Sequence, residues 1–135
     1  MSEYKLKIVL FGDLAIDSRR SPFPEDALDC LQDLTRNADL AIYNQEFPIT
    51  ESPTRNHLKS RFLGFKSTAQ SCSLASRAGF NLACFANNHT HNYLDQGVID
   101  TKQCLNSNGI AIVGAGLSLE EASEPFEIEL KGLKI

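Results

Sequence analysis

The sequence predicts an α/β fold built on a mainly parallel sheet with flanking helices. Short apolar runs rich in β-branched residues alternate with stretches of helical periodicity, in the order strand, helix, strand, helix, strand, helix, strand. Three of these runs end in polar residues: Lys7 to Phe11 gives way to Gly12-Asp13, Leu40 to Tyr43 to Asn44-Gln45-Glu46, and Asn81 to Phe85 to Ala86-Asn87-Asn88-His89. In open parallel sheets, ligands collect at the carboxyl ends of the strands. At 135 residues, 42% hydrophobic and 22% charged, the chain has the size and composition of one globular domain.

Residues 5–11 alternate and then run apolar through Ile8 and Val9, as a first strand does, and Gly12 is expected to turn the backbone where Asp13 points out. Residues 17–24, with Ser, Arg and two prolines, read as a loop. Pro24 suits a first helical turn, Glu25 and Asp26 complement the helix dipole, and Leu28, Leu31 and Leu34 recur at helical spacing, which predicts a helix over 25–36. A second strand covers 39–43. Residues 44–66 form the longest irregular stretch, and loops of that length are usually functional or disordered.

Ser67 is placed to cap a helix running to Arg77, with Gly79 as its left-handed stop. A third strand covers 81–86, a helix 95–107 and a fourth strand 110–113. Gly114-Ala115-Gly116 has the look of a dinucleotide fingerprint but lacks its third glycine and acidic partner, so it reads as a tight turn before a short helix over 118–122. Residues 125–130 alternate, Lys131-Gly132 turns, and 133–135 begin a further strand that stops unfinished.

Lys and Arg number 13 against 17 Asp and Glu, a net charge of −4, so no basic field recommends nucleic acid as a partner. No run is long enough for a membrane span or a signal segment, and the expected location is cytoplasmic. Cys30, Cys72, Cys84 and Cys104 lack CxxC spacing and read as free or buried thiols rather than disulfides or a zinc site. The polar strand ends bring Asp13, Glu46, Asn88 and His89 toward one crevice, although Asp, Asn and Gly are also ordinary turn formers there. Lys59, Arg61 and Lys66 either steer an anionic substrate or are solvated loop charges.

Several of these segments, in this order, resemble the bacterial capsule-synthesis proteins of the poly-gamma-glutamate (CapA) type, relatives of the calcineurin-like metallophosphatases. The resemblance rests on Gly12-Asp13, Asn44 to Thr50, Ala78-Gly79-Phe80, Ala86-Asn87-Asn88-His89, Gly97 with Asp100-Thr101, and Gly109-Ile110 leading to Gly114-Ala115-Gly116. It implies that the chain is the N-terminal half of an α/β/β/α sandwich, a single domain over 1–135 that is cut short. It implies divalent metal ions (Mn, Mg, Fe or Zn) held by Asp13, Glu46 and Asn88. His89 would be the catalytic residue that contacts the phosphate or leaving group.

Carboxylate and amide oxygens suit such hard ions, and an imidazole can supply a proton near neutral pH. The implied function is a metal-dependent phosphoesterase or other hydrolase acting on an anionic small molecule or polymer. The alternative is a non-catalytic accessory role in capsule or poly-gamma-glutamate assembly or export. The chain departs from the family pattern at Asn92, Tyr93 and Leu94, where an aspartate followed by Tyr-Gly is usual. His91 reads as a surface residue, with a substitute ligand as the other possibility. With further histidine ligands absent, the isolated chain is expected to be inactive or nearly so.

Overall fold

The computed structural model describes residues 5–59 and 64–135. Four strands form one parallel sheet in the order β1 (Ile8–Leu14), β2 (Leu40–Gln45), β3 (Leu82–Cys84) and β4 (Ala111–Val113). Strands that follow each other in both sequence and space, joined by right-handed crossovers, place every connecting helix on the same face. The helices α2 (Ala69–Ala78) and α3 (Leu94–Ser107) accordingly pack beside each other on one side. Ala41, Ala75, Ala78 and Ala83 are fully buried between them and the sheet, and their small side chains allow close approach. Phe80 fills the rest, edge-on to Phe11 at 5.0 Å and tilted against Tyr43 at 4.8 Å.

Val9 and Phe11 pack against this core, so the alternation of a strand sends Ile8 and Leu10 to the opposite face. There Leu10 is 76% exposed on the edge strand. The chain closes with the short helix α4 (Leu119–Ser123), capped by Ser118, and an antiparallel hairpin of β5 (Glu129–Leu130) and β6 (Leu133–Lys134). Lys131 and Gly132, both at positive φ, make its turn as the sequence predicts.

Four expectations need correction. Residues 25–36 do not form one helix. Ala27 and Asp29 donate to the third residue back, residues Asp29–Leu31 are 3-10, and only α1 (Gln32–Thr35) is α-helical. Asp29 is held by both Arg77 and Gln32, so docking onto α2 overrides the leucine spacing. The helix at 69–78 is preceded by Thr68, not capped by Ser67; the hydroxyls of both are buried without a partner among the described residues. Gly12 does not end the strand, because β1 runs through it to Leu14, although the pairing register shifts between Leu10 and Asp13.

The cysteines are the fourth. Cys72 of α2 and Cys104 of α3 are disulfide-paired with Cα atoms 6.4 Å apart, while Cys30 and Cys84 are free. Two helices side by side on one face bring together thiols that spacing alone keeps apart. Among the described residues, no helix is long and apolar enough to cross a membrane.

Two glycines hold special positions. Gly79 ends α2 at φ +92°, accepting a conformation that L side chains avoid, and Thr35 packs where a Cβ would stand. Gly114, at φ +86°, passes so close to Ala86 that an added Cβ would lie 2.8 Å from the Ala86 Cβ. This pins the end of β4 to the polar box after β3, a packing role that fits the expected tight turn.

Candidate functional site

The site begins with an irregularity in β1. Leu10 pairs with Ile42, but the next pairing is Asp13 with Asn44, so β1 spends one more residue than β2 over the same distance. A bulge of this kind re-aims the side chain that follows it, and Asp13 arrives opposite Asn44. The Asn44 Nδ2 donates to Asp13 Oδ1 and to Glu46 Oε2, both at 2.8 Å. One amide thus joins carboxylates from two strand ends.

After β2 the chain is shaped by buried polar groups. The Tyr43 hydroxyl donates to Gln45 Oε1 and Gln45 Nε2 donates to the Phe47 carbonyl; burial pushes the Tyr43 hydroxyl well above the usual phenol range. Pro48, Ile49 and Thr50 then bury against α3. The Ile49 N–H donates to Thr101 Oγ1 at 2.8 Å and Thr50 donates to Asp100, while a Cβ at Gly97 would lie 2.8 Å from that of Tyr93. The first part of the long irregular stretch is therefore anchored, and Glu46 has a fixed origin.

The third strand end brings the imidazole. Asn87 Nδ2 donates to the Gln45 carbonyl at 2.8 Å and to Asn44 Oδ1 at 3.1 Å, and Asn87 Oδ1 accepts from the His89 N–H at 2.8 Å. His89 Nε2 lies 3.5 Å from Glu46 Oε1. The ring sits at the edges of Phe47 (5.2 Å) and Phe65 (5.7 Å), which stack on each other at 4.9 Å, and the side chain is only 12% exposed.

Asp13, Glu46 and His89 therefore belong to one network. Asn88 stands on the adjoining backbone with its side chain exposed and unbonded among the described residues, while its carbonyl accepts from Lys59. His91 stays at the surface, its Nε2 3.2 Å from Asp95. Lys59 is no solvated charge, since it also donates to Asn92 Oδ1 at 3.0 Å. Lys66 lies over the Tyr93 ring and donates to Ser52, and Arg61 lies outside the described residues. Sequence reasoning gave no role to Asn44, Asn87, Asn92 or the two phenylalanines; Asn44 and Asn87 stood inside the quoted motifs, whereas Phe65 carried no signal of its own.

The sequence matches the model of the bacterial capsule synthesis protein PGA_cap family over residues 7–135. The chain belongs to that family. Comparison with curated proteins returned no match. The PGA_cap domain is metallophosphatase-like, and the parallel sheet with its helices fits that architecture.

In this member of the capsule-synthesis family, the donor set can be tested against the divalent ion that such a domain implies. Among the described residues, no three His, Cys, Asp or Glu side chains stand together as a metal cluster. Two carboxylates nevertheless share a single amide nitrogen, the Asn44 Nδ2, and within the described part of the chain the only ionisable group in ion-pair range of either is His89. Oxygen-rich donors, two of them charged, fit a hard divalent ion once amide oxygens complete the set.

Proposed function

We propose that the protein is a metal-dependent hydrolase of a phosphoester or a related bond on an anionic small molecule or polymer. In this reading Asp13, Glu46 and Asn88 hold a divalent ion, one of Mn, Mg, Fe or Zn. The observation that carries it is the pair of carboxylates, from two neighbouring strands, bridged by Asn44 beside a sheltered imidazole. Asn88 is the amide for the ion because Asn87 is committed at both ends, its oxygen to the His89 N–H and its nitrogen to Gln45 and Asn44. When bound, such an ion lowers the pKa of a water and draws charge from phosphoryl oxygens.

The chain's own side chains do the remaining work. Asp13 and Glu46 fix the position of positive charge at the strand ends, where a bulged strand and an anchored loop hold them. Phe47 and Phe65 shield one side of His89 from water, which strengthens its polar contacts. His89 Nε2, on the Glu46 side, is within reach of a leaving-group oxygen placed at the carboxylates, and a positioned imidazole contributes about 10²–10⁴ in rate to such proton transfers.

A test is hydrolysis of p-nitrophenyl phosphate esters by the full-length protein, rather than by the isolated chain, with added Mn²⁺. The reading expects activity that a chelator abolishes and that falls at least about 100-fold in Asp13→Ala. Activity equal in wild type and variant would remove its basis.

A second reading is favoured by the family description, which names capsule synthesis and no hydrolysis. The crevice would then hold an ion, or the carboxylates of an acidic polymer through that ion, during capsule or poly-gamma-glutamate assembly or export without chemistry. Full polymer production in a strain carrying His89→Ala would favour that accessory role over hydrolysis.

A further inference from the structure

Asn92 lies in the turn between His89 and α3 and is 1% exposed. Its amide orientation is fixed at both ends. Oδ1 accepts from Lys59 Nζ at 3.0 Å, and an ammonium can only donate. Nδ2 donates to the Phe65 carbonyl at 3.0 Å, and a carbonyl can only accept. Flipping the amide would oppose donor to donor and acceptor to acceptor.

That same Nδ2 is 3.0 Å from His89 Nδ1. An amide nitrogen does not accept hydrogen bonds, so Nδ1 must accept, and the proton of the neutral ring resides on Nε2. The Nε2–H then faces Glu46 Oε1 at 3.5 Å.

We infer that Asn92, clamped by Lys59 and the Phe65 carbonyl, is a positioning residue that holds neutral His89 as its Nε2–H tautomer, so that the ring offers the crevice a proton and not a metal-binding lone pair. A neutral imidazole ligates through a bare nitrogen. Here Nδ1 is turned into the protein against Asn92, and Nε2 is protonated. Ligation through Nε2 would move the proton to Nδ1 and set it against the Asn92 N–H. The edge contacts of Phe47 and Phe65 oppose rotation of the ring out of this arrangement. Lys59 fastens the Asn88 carbonyl with the same ammonium, so one side chain from the long loop holds both the amide donor and the imidazole's partner. The use of the Nε2 proton in hydrolysis rests on the function proposed above; the tautomer does not.

The test is a long-range proton–nitrogen correlation spectrum of the metal-free protein at about pH 9, well above the ordinary imidazole pKa of about 6.5. The inference expects His89 to show a protonated Nε2 and a bare Nδ1. In Asn92→Asp the carboxylate can only accept, so the proton should move to Nδ1 and the pattern should reverse. A wild-type spectrum with the proton on Nδ1, or a folded Asn92→Asp protein with the wild-type pattern, overturns the inference. Should Asn92→Asp fail to fold, the wild-type spectrum decides alone. A Nε2–H tautomer in a protein with no hydrolase activity would end the proposed function and leave this inference standing, and an active protein with Nδ1–H would do the reverse.

Discussion

Asp13 and Glu46 accept hydrogen bonds from the same atom, the Asn44 Nδ2, at 2.8 Å each. The neutral amide holds apart two carboxylates that would otherwise repel. Replacing it should expose that repulsion. In Asn44→Asp, three carboxylates meet without a donor, and the metal-free protein should lose about 1–3 kcal/mol of stability in urea titrations. Added Mn²⁺ should restore more stability to this variant than to wild type, because binding to the folded state alone stabilises it. Equal responses would mean that no cation enters between these oxygens.

Gly114→Ala should destabilise by about 2 kcal/mol or more, since φ +86° penalises a side chain and the new Cβ would strike Ala86. Chemical denaturation measures it directly. A neutral substitution would show that β4 and the polar box after β3 are not held in register by this contact.

Breaking the tie between Cys72 and Cys104 should cost about 3 to 4 kcal/mol for a loop of this length. Unfolded without reductant, the protein should expose two titratable thiols, those of Cys30 and Cys84, and a count of all four cysteines would contradict the pairing.

Acid should weaken the fold through Asp39 and Asp29. Lys131 and the Lys7 N–H hold the Asp39 carboxyl below its ordinary 3.8, and Arg77, with Gln32, does the same for Asp29. A depressed folded-state pKa means that the unfolded chain takes up protons first as pH falls. The stabilisation is therefore complete above about pH 4 and is lost as pH falls through the depressed values. Asp39→Asn should be less stable than wild type at pH 7 and should converge on it in strong acid. A gap independent of pH would assign the loss to something other than charge.

The strand pattern made most of the sheet legible, because β-branched runs bounded by turn residues leave few alternatives. It also revealed the polar strand ends, and the structure joins Asp13, Glu46 and His89 as neighbours in one network. What stayed hidden depended on contacts between distant segments. The leucines at 28, 31 and 34 suggest a helix, but Arg77, far along the chain, captures Asp29 and leaves mostly 3-10 turns. The irregularity that re-aims Asp13 falls around Gly12, where the sequence suggests a turn, but only pairing with β2 shows that the strand runs on to Leu14. Lys59 reads as a loop charge until Asn92 and the Asn88 carbonyl are seen around its ammonium.

The most direct measurement is paramagnetic broadening by Mn²⁺ in the amide spectrum of the chain, added well below one equivalent. If one ion sits at the strand ends, signals of Asp13, Asn44 to Glu46 and Asn87 to His89 should fade together, and Asp13→Ala should prevent the effect. Broadening confined to other acidic positions such as Glu120, Glu121 and Glu127, or absent from all three strand ends, would contradict a shared site.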